Sequence, residues 1–145
     1  MTLRTFKEYL RTGIVKKQSP NKQRAISLLQ EAEGKKAFLA ISIKNIPKEH
    51  MNSNFVAESC YDIIMELIRA KMFIDGYNAG NSHEAEVSYM AKLGFVYADI
   101  RFMDELRYFR NGIKYYGTIL NKEYAEKALT FLNKQYPKLR KLLPI

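Results

Sequence analysis

Between Ile100 and Gly117 the chain reads IRFMDELRYFRNGIKYYG. Its apolar side chains recur at alternating steps of four and three residues, the spacing of one stripe along an amphipathic α-helix. The sequence therefore predicts a helix from about Tyr97 to Gly117 that packs against a partner through this stripe. The stripe comprises Phe102, Leu106, Phe109, Ile113, Tyr116 and Leu120.

The opposite side of the same helix is polar and cationic. A turn of about 100° per residue directs its side chains away from the apolar stripe. This cationic strip comprises Arg107, Arg110, Asn111 and Lys114. Asn and Gly are poor helix formers, so Asn111 and Gly112 in mid-helix favour a ligand-binding or dimer-forming role. A plain salt-bridged surface remains the alternative, because Asp104 stands three residues before Arg107.

Composition and charge indicate one folded domain with a polyanionic partner. The chain has 145 residues, enough to bury a core, and a formal net charge of +9 that favours contact with nucleic acid. No apolar run has the length of a membrane span and no signal peptide is evident, so we expect a cytoplasmic protein. The single cysteine, Cys60, excludes an intrachain disulfide. No Cys/His cluster indicates zinc, and we expect no metal or cofactor.

Helical patterns also cover the first third of the chain. Residues 1–17 predict a short amphipathic helix, which packs on the bundle or forms an arm (residues 1–18) on a second subunit. Ser19, followed by Pro20, is expected to cap a long helix that is weakened at Gly34 and ends before a proline. A strand over residues 37–43 is the competing interpretation, but no second strand is available to pair with it.

The middle of the chain predicts a central helix, Phe55–Asp75, which is apolar nearly all round. Its polar line carries Glu58 and Asp62. We expect one of these carboxylates to pair with Arg107 or Arg110 across the bundle, although acid/base chemistry is the alternative.

Two more helices complete the pattern. One runs from His83 to Leu93, and the last begins near Asn121 and is expected to kink or split at Pro137. The fold class is therefore all-α, an antiparallel up-and-down bundle of five to six helices.

The residues Arg110-Asn111-Gly112-Ile113-Lys114-Tyr115-Tyr116 resemble the signature of the HEPN family. These are small helical-bundle domains of prokaryotic toxins, nucleotidyltransferase partners and RNases. The family pattern is Arg, usually followed by Asn, then a short spacer and a His, often with a Tyr after it. Arg110, Asn111 and Tyr116 fit this pattern, whereas Tyr115 stands where the His belongs. The resemblance implies one HEPN-like domain over residues 1–145.

In catalytic members of that family, two copies of the motif meet near a two-fold axis and form a metal-independent RNA-cleaving site. The resemblance therefore implies a homodimer, joined through the helix of Arg110 or through the apolar central helix. It implies catalytic positions at Arg110, Asn111 and Tyr115. Ligand-binding positions follow at Arg107, Lys114 and Tyr116, with supporting carboxylates at Glu58 and Asp62.

Because the motif has Tyr115 in place of histidine, it lacks the usual catalytic base. A phenol is a poor base near pH 7, so we expect binding of RNA or a nucleotide-bearing partner, with weak or absent catalysis. His50 and His83 are candidates to replace the base. The alternatives are an active metal-independent endoribonuclease, such as the toxin of a toxin–antitoxin pair, an adaptor for a nucleotidyltransferase, or a plain oligomerisation module.

Overall fold

The computed structural model describes residues 3–145, and this part of the chain forms an all-α helical bundle, as predicted. The helices in chain order are α1 Phe6–Arg11, α2 Lys22–Asn45, α3 Ser53–Asp75, α4 His83–Lys92, α5 Tyr97–Tyr116 and α6 Lys122–Lys141. A 3₁₀ turn, Lys48–His50, connects α2 to α3. Two short strands, β1 Lys16–Lys17 and β2 Tyr77–Asn78, pair antiparallel with Lys16 opposite Asn78.

Helix α3 is the centre of the bundle, which confirms the prediction from its composition. It contacts α2, α4, α5 and α6, and Ile63, Ile64, Leu67 and Ile68 are completely buried. The Asn52 side chain caps its start, and Gly76 ends it with a φ of 84°, a conformation that glycine adopts without strain. Cys60 is buried in this helix, and burial raises the pKa of its thiol to about 12. Within the bundle it therefore stays a protonated thiol.

The predicted start of α2 at Ser19 and Pro20 is wrong by two residues. The helix begins at Lys22, where the side chain of Asn21 accepts a hydrogen bond from the amide of Arg24 at 3.0 Å. The preceding segment cannot join the helix, because its backbone is bonded to the turn after α3. The amides of Gln18 and Asn21 donate to the carbonyls of Gly76 and Phe73, each at 2.9 Å.

Helix α2 is one long helix, as predicted, whereas the split expected in α6 is absent. Helix α2 runs through Gly34 unbroken, and residues 37–43 are helical rather than extended. Helix α6 likewise continues through Pro137 to Lys141, so the expected split there is wrong. Both helices are thus continuous at these positions, and the buried side chains that follow, Leu39 and Leu139, help to hold them in the bundle.

The N-terminal helix is shorter than predicted. Residues 1 and 2 lie outside the described part of the chain, and α1 ends at Arg11. Gly13 then turns the chain with a φ of 77°, which leads into β1. Instead of reaching away as an arm, α1 packs on α4 of its own chain, with the Phe6 ring 5.1 Å from Tyr77 and 4.7 Å from Tyr89.

The apolar stripe of α5 packs on α6 through Phe102 and Phe109. The ring centroids of Phe102 and Phe131 lie 4.6 Å apart, and those of Phe109 and Tyr124 lie 4.9 Å apart. The prediction is wrong for Tyr116, which is 85% exposed. Helix α5 ends at that residue, because Gly117 takes a left-handed conformation and turns the chain away.

Candidate functional site

Arg107, the first residue of the cationic strip, is paired with carboxylates of its own chain. The Arg107 side chain is only 13% exposed, and its Nε donates to Asp104 Oδ1 at 2.7 Å. Its Nη1 lies 3.6 Å from Glu84 Oε1 at the start of α4. The expectation that Arg107 faces outward as a ligand-binding residue is therefore corrected: α5 also packs on α3 and α4, and this second face carries Arg107 inward.

Arg110 lies at the edge of that packed face. Its guanidinium carbon is 5.8 Å from the centre of the Tyr61 ring, and Nη2 is 4.0 Å from Asp62 Oδ1. The predicted pairing across the bundle is thus confirmed for Asp62, whereas Glu58 makes no ion pair within residues 3–145. The Nε of Arg110 is buried and has no hydrogen-bond partner in the described chain. Arg110 is therefore held loosely, by a ring face and one long ion pair.

The C-terminal half of α5 presents aromatic side chains to solvent. Tyr108, Tyr115 and Tyr116 are 61%, 65% and 85% exposed. The ammonium of Lys114 lies 5.5 Å from the centre of the Tyr115 ring. Tyr108, Asn111 and Tyr115 follow one another at helical spacing and share one face of the helix. We call these five residues, Tyr108, Asn111, Lys114, Tyr115 and Tyr116, the tyrosine end of α5.

A histidine approaches the arginine of the motif from another helix. His83 is the first residue of α4, and its Nδ1 lies 3.0 Å from the hydroxyl of Tyr61. Burial lowers the pKa of His83 and raises that of Tyr61, so both side chains are neutral near pH 7. Since the ring face of Tyr61 contacts Arg110, the three residues form one cluster. His50, the other candidate base, is exposed on the 3₁₀ turn and lies outside this cluster.

No sequence motif points to Tyr61, although its position in an apolar helix is a clue. It is the one tyrosine in the apolar helix α3, and a buried tyrosine normally needs a partner for its hydroxyl. The pattern cannot say which residue supplies that partner, because His83 is brought close only by the packing of α4 on α3.

A groove opens beside Asp62, between α2 and α3. Its volume is about 800 Å³, and Phe38, Phe55 and Asp62 line it with Gly34 and Lys35. Lys35 forms ion pairs there with Glu31 and Glu66. The neighbourhood of Arg110 therefore combines a carboxylate with an open concave surface.

Comparison with protein-family models, with curated proteins and with solved structures finds no match to this chain. The similarity to HEPN domains therefore stays a prediction from the segment Arg110–Tyr116. Within residues 3–145, no three His, Cys, Asp or Glu side chains lie close enough to hold one metal ion. In the same part of the chain, no helix has the length and apolar character needed to span a membrane.

Proposed function

We propose that this protein binds single-stranded RNA at the tyrosine end of α5. The observation that carries the proposal is the exposure of Tyr108, Tyr115 and Tyr116 beside Lys114. Large aromatic rings in solvent next to a cation are what base stacking and phosphate neutralisation require. The net charge of +9 supports the proposal, since it raises the rate of encounter with a polyanion.

Each residue has a distinct task in this proposal. Bases stack on Tyr108 and Tyr115, which lie seven residues apart on one face, and Asn111 between them bonds a base edge or a ribose hydroxyl. Lys114 pairs with a phosphate. Arg110 supplies a second cation, because its 4.0 Å contact with Asp62 is weak enough to be exchanged for a phosphate oxygen. Arg107 has no part in binding, since Asp104 and Glu84 already satisfy it.

The first test replaces one stacking residue. Stacking on an aromatic side chain contributes about 1–3 kcal/mol per base, so Tyr115→Ala should weaken binding by roughly 5- to 150-fold. Fluorescence anisotropy with a labelled single-stranded oligoribonucleotide, at moderate and at high salt, measures the affinity. Binding should also fall as salt rises, because bound phosphates release counterions.

The control for this test lies on the same helix. Tyr97 is 76% exposed at the opposite end of α5, so Tyr97→Ala removes a ring that is at least as exposed as Tyr115 and should leave affinity unchanged. Equal losses in the two variants, or no RNA binding by the unaltered protein at moderate salt, would refute the proposal.

A second candidate function, metal-independent RNA cleavage, is favoured by the Arg110–Tyr61–His83 cluster. We infer that His83 would act as the base that the motif lacks. With Nδ1–H donating to the Tyr61 oxygen, Nε2 holds a lone pair that can accept the proton of a ribose 2′-hydroxyl. The 2′-oxygen then attacks the adjacent phosphorus, and the 5′-oxygen leaves and takes up a proton from water. The products are a 2′,3′-cyclic phosphate and a 5′-hydroxyl. Arg110 would stabilise the charge on the phosphate.

Cleavage in excess EDTA tests this second function. His83→Asn should abolish product, whereas His50→Asn should not. Because burial lowers the pKa of His83, the rate should rise with pH and level off below the ordinary histidine pKa of about 6.5. Cleavage that survives His83→Asn, or that declines from acidic to neutral pH, would rule out His83 as the base.

A further inference from the structure

A second concave site shares His83 with the Arg110–Tyr61–His83 cluster and includes no residue of the tyrosine end. It is a pocket of about 300 Å³ where the starts of α2 and α4 meet the end of α3 and β2. Arg24, Arg69, His83 and Glu86 line it, with Tyr77 and Phe73 forming an apolar wall. The volume is at the lower end of the range for small-molecule sites.

One guanidinium in this pocket is fixed in place. Glu86, only 1% exposed, accepts hydrogen bonds from Nε and Nη2 of Arg69, the second at 2.9 Å. Nη1 of Arg69 makes no hydrogen bond to residues 3–145. The guanidinium of Arg69 therefore holds the buried carboxylate with Nε and Nη2, and its remaining N–H donors are available to a ligand. Because Glu86 stabilises the charged form, the pKa of Arg69 is raised and the guanidinium stays cationic.

A second guanidinium makes the pocket cationic overall. Arg24 is exposed near the start of α2 and has no carboxylate within 4.0 Å in the described chain. Two arginines thus face one carboxylate, and that carboxylate is already paired with Arg69. The first amides of α4 also begin at this pocket, at His83, and the start of a helix favours an anion. Two guanidiniums and a helix start at one pocket are groups that favour a phosphate.

We propose that this pocket binds a small phosphorylated compound of the nucleoside monophosphate class. The two guanidiniums would bind the phosphate, and Tyr77 and Phe73 would contact the base. A pocket of about 300 Å³ accommodates a mononucleotide but not a polynucleotide chain. This site is independent of the tyrosine end and of RNA binding there.

Isothermal titration calorimetry of the full chain tests the proposal, with adenosine monophosphate as the probe. Adenosine, which lacks the phosphate, should bind at least 10-fold more weakly. Inorganic phosphate, which lacks the base, should also bind more weakly than the nucleotide. Arg24→Gln should lower the affinity for adenosine monophosphate by about 10- to 150-fold, the effect expected for one hydrogen-bonded charge.

Matched variants separate this site from the surface of the protein. Lys22→Gln removes a cation from the same turn of α2 but from outside the pocket lining, so it should leave affinity unchanged. Tyr115→Ala should also leave it unchanged, which distinguishes this pocket from the proposed RNA surface. Equal effects of Arg24→Gln and Lys22→Gln, or adenosine binding as tightly as its monophosphate, would overturn the proposal. Phosphate binding as tightly as the nucleotide would exclude the nucleoside class.

Discussion

Gly112 lies close to Thr118 in the loop that follows α5. A Cβ at this position would lie 2.7 Å from Thr118 Oγ1 and 3.3 Å from Thr118 Cβ. The amide of Thr118 also donates to the carbonyl of Gly112 at 3.1 Å. The sequence suggested that another helix or a ligand approaches this glycine. The neighbour is instead the loop of the same chain, so the glycine is explained without either of them.

Gly112→Ala should therefore destabilise the protein, although alanine is intrinsically favoured in helices by about 1 kcal/mol. Overpacking against Thr118 should outweigh this gain and lower the free energy of unfolding by about 1–2 kcal/mol. Urea denaturation followed by circular dichroism measures it. In the double variant with Thr118→Ala, part of the loss should be recovered, because the nearest atom is gone. A single variant more stable than the parent would contradict the steric explanation.

The sequence predicts one packed face for helix α5, and the structure has two. The stripe that packs on α6 is visible in the sequence, because Phe102 and Phe109 recur at helical spacing. The second face is hidden, because it includes polar residues: Asp104 is only 4% exposed and pairs with Arg107. A buried ion pair and a solvated one have the same residue types at the same spacing, so the pattern cannot separate them.

The ends of helices could be predicted where local bonds decide them. Asn52, Ser82 and Asn121 are residue types that favour the cap position, and each side chain accepts a hydrogen bond from an amide in the first turn of its helix. The prediction that Ser19 caps α2 was wrong because the backbone amide of Gln18 donates a hydrogen bond to Gly76, almost sixty residues later in the chain. A tertiary hydrogen bond of this kind leaves no trace in the local sequence.

Helix α2 offers a test of its continuity. A Cβ added at Gly34 would meet no atom within 4 Å, and the position is helical and exposed. Gly34→Ala should therefore raise the free energy of unfolding by about 1 kcal/mol, which thermal or urea denaturation measures.

Gly76→Ala is the contrasting variant for this test. At Gly76 the φ is 84° and an added Cβ would lie 2.6 Å from the carbonyl oxygen of Gln18, so the same substitution should be strongly destabilising. Similar effects at the two glycines would contradict the described course of α2 and of the turn after α3.

The candidate site depends on packing between segments that are distant in the sequence. Tyr61, His83 and Arg110 come from α3, α4 and α5, and none of their spacings predicts contact. The motif around Arg110 could be found in the sequence because it is contiguous. The histidine next to it could be named only as one of two candidates, and the fold brings His83 rather than His50 to the cluster.

The N-terminal segment is part of the same core, and Phe6 tests this. Phe6 is 5% exposed between Tyr77 and Tyr89, so Phe6→Ala should lower the free energy of unfolding by about 3–5 kcal/mol. Phe38→Ala is the control, because Phe38 is 63% exposed and its loss should change stability by less than about 0.5 kcal/mol. If the two variants unfold alike in urea, α1 does not pack on α4 in solution.

The pairing of β1 with β2 also has a consequence for synthesis on the ribosome. Lys16 is made early, but its partner Asn78 and the α4 surface that covers Phe6 emerge only after sixty further residues. Until then the hydrophobic side of α1 has nothing to cover it. A nascent chain stalled before α4 should therefore be a better substrate for chaperones and proteases than one stalled after it.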